Sequence, residues 1–204
     1  EERIIKYIQD FGNSRGLKTM TDEVGNVVIT KNASSGHEDK ETIVLQSHLD
    51  MVHQKNNDVN FDFDREGIRM VIDGDWVRAE GTTLGADNGI GVASILAILD
   101  SNDIDHPTIE ALFTIDEETG MTGALSLKPG FLSGKILLNL DTEEDDEIDI
   151  GCAGGIDVTA TKSYSIVTIP ALYKGYQITV SGLNGGHSGM DIHKGLGNAN
   201  KIMN

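Results

Sequence analysis

The stretch TIVLQSHLD, residues 42–50, passes from a strand-like run to polar residues within one short segment. Residues 42–46 form a short, mainly apolar run, which is typical of a strand buried on both faces. Ser47, His48 and Asp50 follow at the expected carboxyl end of that strand. Because ligands of open α/β sheets bind outside the carboxyl ends of the strands, this stretch predicts both the fold and the position of a site.

Two further segments repeat the arrangement of a buried strand with acidic residues at its end. Residues 109–115 lead into Asp116-Glu117-Glu118, and residues 135–140 lead into Asp141. The segment 90–99 is apolar on nearly every side, which predicts a helix buried against a sheet, and Asp87 lies just before it. We therefore expect four polar clusters to meet at one edge of a sheet.

The alternation of strands and helices predicts an α/β fold with a mostly parallel sheet and helices on both faces. Apolar residues from Ile4 to Phe11 recur at three- and four-residue steps and predict an opening helix that ends near Gly16. Further elements are expected as a strand at 26–30 and a hairpin formed by residues 68–72 and 76–79.

The pattern changes after Gly151, where strands are predicted at 158–161 and 176–180, followed by a glycine-rich loop at 182–189 and a helix. The predicted boundary lies within 155–172. We divide the chain into residues 1–165, the N-terminal part of a catalytic domain, and residues 166–204, the start of an α+β lid or dimerisation domain. The first residue is not Met and the last residues have a helical pattern, so we expect a segment of a longer protein.

Composition excludes several classes of partner. Lys and Arg number 16 against 33 Asp and Glu, which gives a formal net charge of −17. Such a protein repels nucleic acid and anionic lipid surfaces. The single cysteine, Cys152, excludes an internal disulfide and fits a reducing cytosol, and we find neither a signal-peptide pattern nor a long apolar run. We therefore expect a cytoplasmic protein.

The expected edge of the sheet combines one imidazole with three carboxylates, those of His48, Asp87, Glu118 and Asp141. Crowded carboxylates repel one another unless a cation neutralises them, and a mixed set of imidazole and carboxylate ligands favours zinc, manganese or cobalt over calcium. Asp50 is placed to accept a hydrogen bond from the far ring nitrogen of His48. The alternative is that an acidic protein carries carboxylates at strand ends without any ligand role.

Glu117 and Glu118 are adjacent, so one can face a metal ion while the other accepts a proton from water. The alternative for this pair is a solvated acidic turn. His187 lies in the glycine-rich sequence 185–189, and its position alone indicates a surface histidine.

Five motifs together resemble those of the aminoacyl-histidine dipeptidases, also called Xaa-His dipeptidases, peptidase D or carnosinase-like enzymes. This group belongs to the wider family of di-zinc peptidases that includes aminoacylase and carboxypeptidase G. The resemblance covers almost the whole chain. The motifs are residues 47–52, 83–91, 116–120, 138–141 and 185–189.

The resemblance implies a di-zinc exopeptidase-like catalytic domain with two divalent metal ions, zinc first and cobalt or manganese as alternatives. Asp87 would bridge the two ions, and His48 would complete one of them with Asp141 or Glu118, leaving the other carboxylate for the second ion. It also implies three further roles. Asp50 would orient His48, Glu117 would act as general base and acid, and His187, in the lid, would stabilise the oxyanion.

The activity implied by the resemblance is hydrolysis of Xaa-His dipeptides of the carnosine type, through a hydroxide shared by two metal ions. A homodimer formed through the lid is implied as well. The family has a further ligand histidine near its C-terminus, beyond Asn204, so we expect an incomplete site in this segment. The alternatives are a related hydrolase of N-acyl amino acids and a non-catalytic metal-binding or dimerisation fragment.

Overall fold

The computed structural model describes residues 1–142, 146–152, 154–156, 158–186 and 189–204. These residues form two compact units, Glu1–Asp149 and Ile150–Asn204. The division between them falls before the predicted domain boundary at 165/166, which stays a prediction.

The described residues of the first unit form three helices, a five-stranded sheet and a separate hairpin. In chain order the elements are α1 (Glu2–Ser14), β1 (Lys18–Thr21), β2 (Val27–Lys31), β3 (Ile43–His48), β4 (Met70–Asp73), β5 (Trp76–Ala79), α2 (Ala86–Asp100), β6 (Ile109–Thr114), α3 (Thr122–Leu125) and β7 (Ile136–Asn139). Strands β4 and β5 form the predicted hairpin, and β1 is an additional strand that the sequence pattern did not predict.

The sheet has the strand order β1-β2-β6-β3-β7. Strand β3 pairs in parallel with both β6 and β7, whereas β2 pairs antiparallel with both β1 and β6. Within this sheet only β2 runs against the common direction, which confirms an α/β fold with a mostly parallel sheet.

The parallel pairing brings the polar chain segments to one edge. His48 is aligned with Thr114 of β6, and Gln46 is aligned with Asn139 of β7. The residues that follow β3, β6 and β7 therefore emerge side by side, as predicted from the three apolar runs.

Both long helices pack against the same face of the sheet. Ile8 of α1 and Ile95 of α2 are fully buried there together with Ile29 and Phe113 of the strands. On the opposite face Val28, Val44 and Leu112 are covered by side chains of the segment that follows the short helix α3: Leu127, Phe131 and Leu132. The two long helices therefore share one face of the sheet, and the segment after α3 covers the other.

The strands predicted at 158–161 and 176–180 are wrong. The described residues of the second unit contain only a 3₁₀ turn, Ile192–Lys194, and a short helix, α4 (Ala199–Met203). Apolar side chains such as Val158 and Ile178 are largely exposed. Residues with high β-propensity form a strand only where another strand supplies hydrogen bonds, and these segments have no such partner within the described residues. None of the described helices has the length and apolar character that a membrane span requires.

Candidate metal centre

The four predicted ligands and Glu117 lie together at the carboxyl edge of the sheet. Two groups of side chains place their ligand atoms within 4.8 Å of one another. One group is His48, Glu117 and Asp141, and the other is His48, Asp87 and Glu118. The structure therefore brings the predicted residues together, while the assignment of ligands and base among them stays a prediction.

His48 belongs to both groups. Its side chain is buried at the end of β3, and its Nε2 lies 3.0 Å from Asp87 Oδ1 and 3.6 Å from Asp141 Oδ1. The opposite ring nitrogen, Nδ1, lies 3.0 Å from the main-chain carbonyl oxygen of Asp50 and 3.4 Å from its Oδ1. A hydrogen bond from Nδ1 to Asp50 leaves Nε2 free to bind a metal ion.

The Asp50 carboxylate has a second contact that sequence reasoning missed. Its Oδ1 accepts a hydrogen bond from the backbone N–H of Glu117, and its Oδ2 accepts one from that of Glu118, each at 3.0 Å. Asp50 therefore connects the end of β3 to the acidic loop that follows β6. An acidic residue two positions after a histidine was the only sequence signal, and it did not indicate this partner.

Asn26, which directly precedes β2, fixes the two ends of the same loop by hydrogen bonds. Its fully buried side chain donates to the carbonyl oxygen of Gly123 at 2.9 Å and accepts from the N–H of Ile115 at 3.3 Å. Within the loop, the Asp116 carboxylate accepts hydrogen bonds from the hydroxyls of Thr119 and Thr122. The loop that carries Glu117 and Glu118 is thus held at both ends, and no sequence motif identified Asn26.

Asp87 reaches the centre from the first turn of α2. Gly85, just before it, has φ 77°, a left-handed conformation that glycine adopts without strain. Asp87 and Asn88 depart from helical φ and ψ angles, and the peptide bond between them is cis. Gly85 therefore lies where the backbone turns toward His48.

The electrostatics of the centre are those of an imidazole surrounded by carboxylates. Burial lowers the pKa of His48, but hydrogen bonding to Asp141 and the charges of Asp141 and Asp50, with a hydrogen bond to Asp87, outweigh it and raise that pKa to about 9. The hydrogen bond with His48 in turn lowers the pKa of Asp141.

Three other carboxyl groups, those of Asp87, Glu117 and Glu118, have raised pKa values. Burial, reinforced by the Asp141 charge, raises the pKa of Asp87. Burial also raises the pKa of both glutamates, with Asp141 adding to the effect on Glu117 and Asp87 adding to that on Glu118. Each of these shifts disfavours negative charge, so a bound cation would relieve the repulsion. The donor set of one imidazole and several carboxylate oxygens fits zinc or manganese.

A cavity of about 170 Å³ opens beside the centre. Glu117 and Asp141 line its polar side, and Leu112, Leu127 and Leu137 line its apolar side. The cavity therefore places apolar surface next to the carboxylates. His187, the remaining predicted site residue, lies outside the described residues.

Comparison with known proteins gives one family and several relatives. Residues 44–190 match the family model of peptidase family M20/M25/M40. The chain is 49% identical over 203 residues to the cytosol non-specific dipeptidase of Escherichia coli (strain K12), which covers 100% of this chain and 42% of that protein. The uncharacterized protein YqjE of Bacillus subtilis (strain 168) is 31% identical over 123 residues, which are 58% of this chain and 30% of that protein.

Solved structures agree with the sequence matches. The aminoacylhistidine dipeptidase of Vibrio alginolyticus superposes with a TM-score of 0.74 at 49% identity, over 100% of this chain and 41% of that one. The aminopeptidase PepT of Bacillus cereus superposes with a TM-score of 0.57 at 27% identity, over 69% of this chain and 38% of that one. The chain thus spans less than half the length of the dipeptidases that it matches over its whole length.

Proposed function

The chain belongs to peptidase family M20/M25/M40. We propose that it forms the metal-binding part of a dipeptidase that hydrolyses Xaa-His dipeptides of the carnosine type. The observation that carries the proposal is the pair of overlapping ligand groups around His48. The E. coli relative is named a non-specific dipeptidase and the Vibrio protein an aminoacylhistidine dipeptidase. Both names support a dipeptide substrate.

We propose that His48, Asp87, Glu118 and Asp141 hold two divalent ions, with zinc as the first candidate and cobalt or manganese as alternatives. Asp87 is the proposed bridging ligand, since it lies 3.0 Å from the Nε2 of His48, contacts Asp141 of one group and belongs to the other group with Glu118. When bound, such ions supply positive charge that polarises the scissile carbonyl group and makes water more acidic.

Glu117 is the proposed general base. It lies 3.9 Å from the Nε2 of His48, lines the cavity, and has a pKa raised by burial and by Asp141, the direction that suits a base working near neutral pH. Its carboxylate takes the proton of the attacking water and returns it to the nitrogen of the leaving amino acid. The contacts of Asp50 with the Glu117 and Glu118 amides hold this carboxylate in place.

The proposal extends to the intact protein. His187 stabilises the oxyanion of the tetrahedral intermediate from a lid, and the lid also forms a homodimer contact. The cytosolic relative from E. coli supports a cytoplasmic location.

Metal removal tests the proposal in the intact protein. We expect excess chelator to abolish hydrolysis of carnosine and other Xaa-His dipeptides, and added zinc, cobalt or manganese to restore it. Asp87→Ala should be the most damaging ligand substitution, because a bridging carboxylate serves both ions. Full turnover in chelator, with metal absence verified by elemental analysis, would contradict the proposal. A panel with other dipeptides and N-acyl amino acids measures the substrate range.

A further inference from the structure

Three oxygen atoms surround the position that a Cβ atom of residue 91 would occupy, close to the candidate metal centre. A Cβ atom on Gly91 would lie within 2.6 Å of the side-chain Oδ1 of Asn88, the Oγ of Ser47 and the carbonyl oxygen of Leu140. A carbon atom cannot approach oxygen so closely without displacing it, so only glycine fits at this position in α2.

The three residues that meet at this point share one property. Each is the immediate neighbour in sequence of a proposed metal ligand, and each neighbour belongs to a different chain segment. The pairs are Ser47 with His48, Asn88 with Asp87, and Leu140 with Asp141. The spacing between these segments at Gly91 therefore sets the spacing between the ligands.

Ser47 and Asn88 are polar residues in the protein interior, where a polar side chain without hydrogen bonds does not stabilise the fold. Ser47 is fully buried and Asn88 is 3% exposed. The Oγ of Ser47 and the Nδ2 of Asn88 have no hydrogen-bond partner among the described residues. Unpaired buried polar atoms destabilise a fold, so their presence indicates a constraint other than stability.

Two of the three segments are held by the sheet. Ser47 lies in β3, between β6 and β7, and the N–H of Leu140 donates to the carbonyl oxygen of Gln46 at 2.9 Å. The start of α2 has no such pairing, and Asp87 and Asn88 already depart from helical geometry. Extra volume at Gly91 would therefore displace Asp87 rather than His48 or Asp141.

We propose that Ser47, Asn88 and Gly91 are positioning residues that set the distance of Asp87 from His48 and Asp141. The inference rests on the proposed function, because it takes those three residues to be metal ligands. It adds that the metal affinity depends on a second contact between β3, α2 and the end of β7, made by the residues next to the ligands in sequence.

The test compares Gly91→Ala with Gly89→Ala in the intact protein. Gly89 lies in the same helix, and a Cβ there meets nothing within 4 Å, so this variant controls for the change in helix propensity. Zinc affinity is measured by competition with a chromophoric chelator, and metal-free unfolding by circular dichroism. We expect Gly91→Ala to bind zinc about 10- to 100-fold more weakly, the scale seen for residues that orient ligands, and Gly89→Ala to bind as the wild type does.

Ser47→Val is the second variant, since it replaces the hydroxyl by a methyl group and adds a second methyl group on Cβ. It does so in a strand, where β-branched residues are favoured. A loss of zinc affinity in a folded Ser47→Val protein supports the proposal even if Gly91→Ala does not fold. Wild-type affinity in a folded Gly91→Ala or Ser47→Val protein overturns it, as does an equal loss in Gly89→Ala or failure of both test variants to fold.

Zinc binding and hydrolysis by the wild-type protein distinguish failure of the positioning proposal from failure of the proposed function. If it binds zinc and hydrolyses dipeptides while Gly91→Ala binds equally well, the positioning role fails and the proposed function stands. If it binds no zinc and its hydrolysis survives chelation, the proposed function fails and the positioning role fails with it.

Discussion

Asp50 and Asp87 are both carboxylates beside His48, but their surroundings suit them to different tasks. The side chain of Asp50 is 8% exposed, and both of its oxygens accept hydrogen bonds from backbone N–H groups. The side chain of Asp87 is 58% exposed and lies on the Nε2 side of the ring. Both oxygens of Asp50 are therefore already hydrogen-bonded, whereas the exposed carboxylate of Asp87 is accessible to a metal ion.

The two adjacent glutamates should respond differently to the same substitution. Glu117→Gln keeps the size of the side chain but removes the basic carboxylate, so we expect kcat to fall by about 10²–10⁴ while metal content stays near normal. Glu118→Gln removes a negative ligand, so metal should be lost first and excess metal should partly restore activity. Elemental analysis together with steady-state kinetics measures both quantities. The opposite pattern would exchange the two roles, and no effect in either variant would contradict the proposed centre.

Asp50→Asn tests the link between β3 and the acidic loop. One carboxylate oxygen becomes an NH₂ group, which cannot accept a hydrogen bond from the backbone N–H that it faces. We expect kcat to fall by about 10- to 100-fold, because the Glu117 carboxylate loses its fixed position. Asp10→Asn, in an exposed residue of α1 that pairs with Lys6, is the matched control. An unchanged kcat in Asp50→Asn would show that the loop keeps its position without this contact.

Among the elements, β6 is connected by a buried carboxylate to the segment that precedes β7. Glu110 of β6 accepts hydrogen bonds from the N–H of Ser133 at 2.9 Å, the hydroxyl of Ser133 at 2.7 Å and the N–H of Gly134 at 3.0 Å. Burial raises the pKa of Glu110, but hydrogen bonds from Gly134 and Ser133 outweigh it and lower the pKa below its ordinary value. This contact holds the segment before β7, the strand that leads to Asp141.

The lowered pKa of Glu110 predicts a loss of stability in acid. A depressed carboxyl pKa stabilises the folded state above the unfolded-state value, and this contribution disappears as the pH falls through the folded-state value. We expect Glu110→Gln to lower the free energy of unfolding by about 1–3 kcal/mol at pH 7, with a smaller difference below about pH 4. Urea unfolding between pH 3 and pH 7, with the exposed Glu41→Gln as control, measures this difference. A pH-independent difference would contradict an ionised Glu110.

At the scale of the whole molecule, the remaining proposed role is that of His187 as oxyanion donor in the intact protein. We expect His187→Ala to lower kcat by about 10²–10³ in the intact protein with normal metal content, which is the usual effect of removing one oxyanion donor. His193→Ala, in the exposed 3₁₀ turn, is the control. If kcat does not change, His187 is a surface residue.

Most of the first unit could be predicted from local sequence. The apolar runs at 42–46, 109–115 and 135–140 identified β3, β6 and β7, because burial on both faces leaves a continuous apolar pattern. The polar residues directly after those runs identified the candidate site. The same reasoning failed at 158–161 and 176–180, where β-branched and aromatic residues suggested strands that the described residues do not form.

The sequence by itself thus determined the class of the sheet and the residue types gathered at its carboxyl edge. The tertiary structure alone decided that Asp50 would hold the amides of Glu117 and Glu118, that Asn26 would close their loop, and that Gly91 would lie where three ligand segments meet. A strand is visible in its own residues because its burial pattern is local. A contact between segments dozens of residues apart depends on strand register and helix packing, which no single segment encodes.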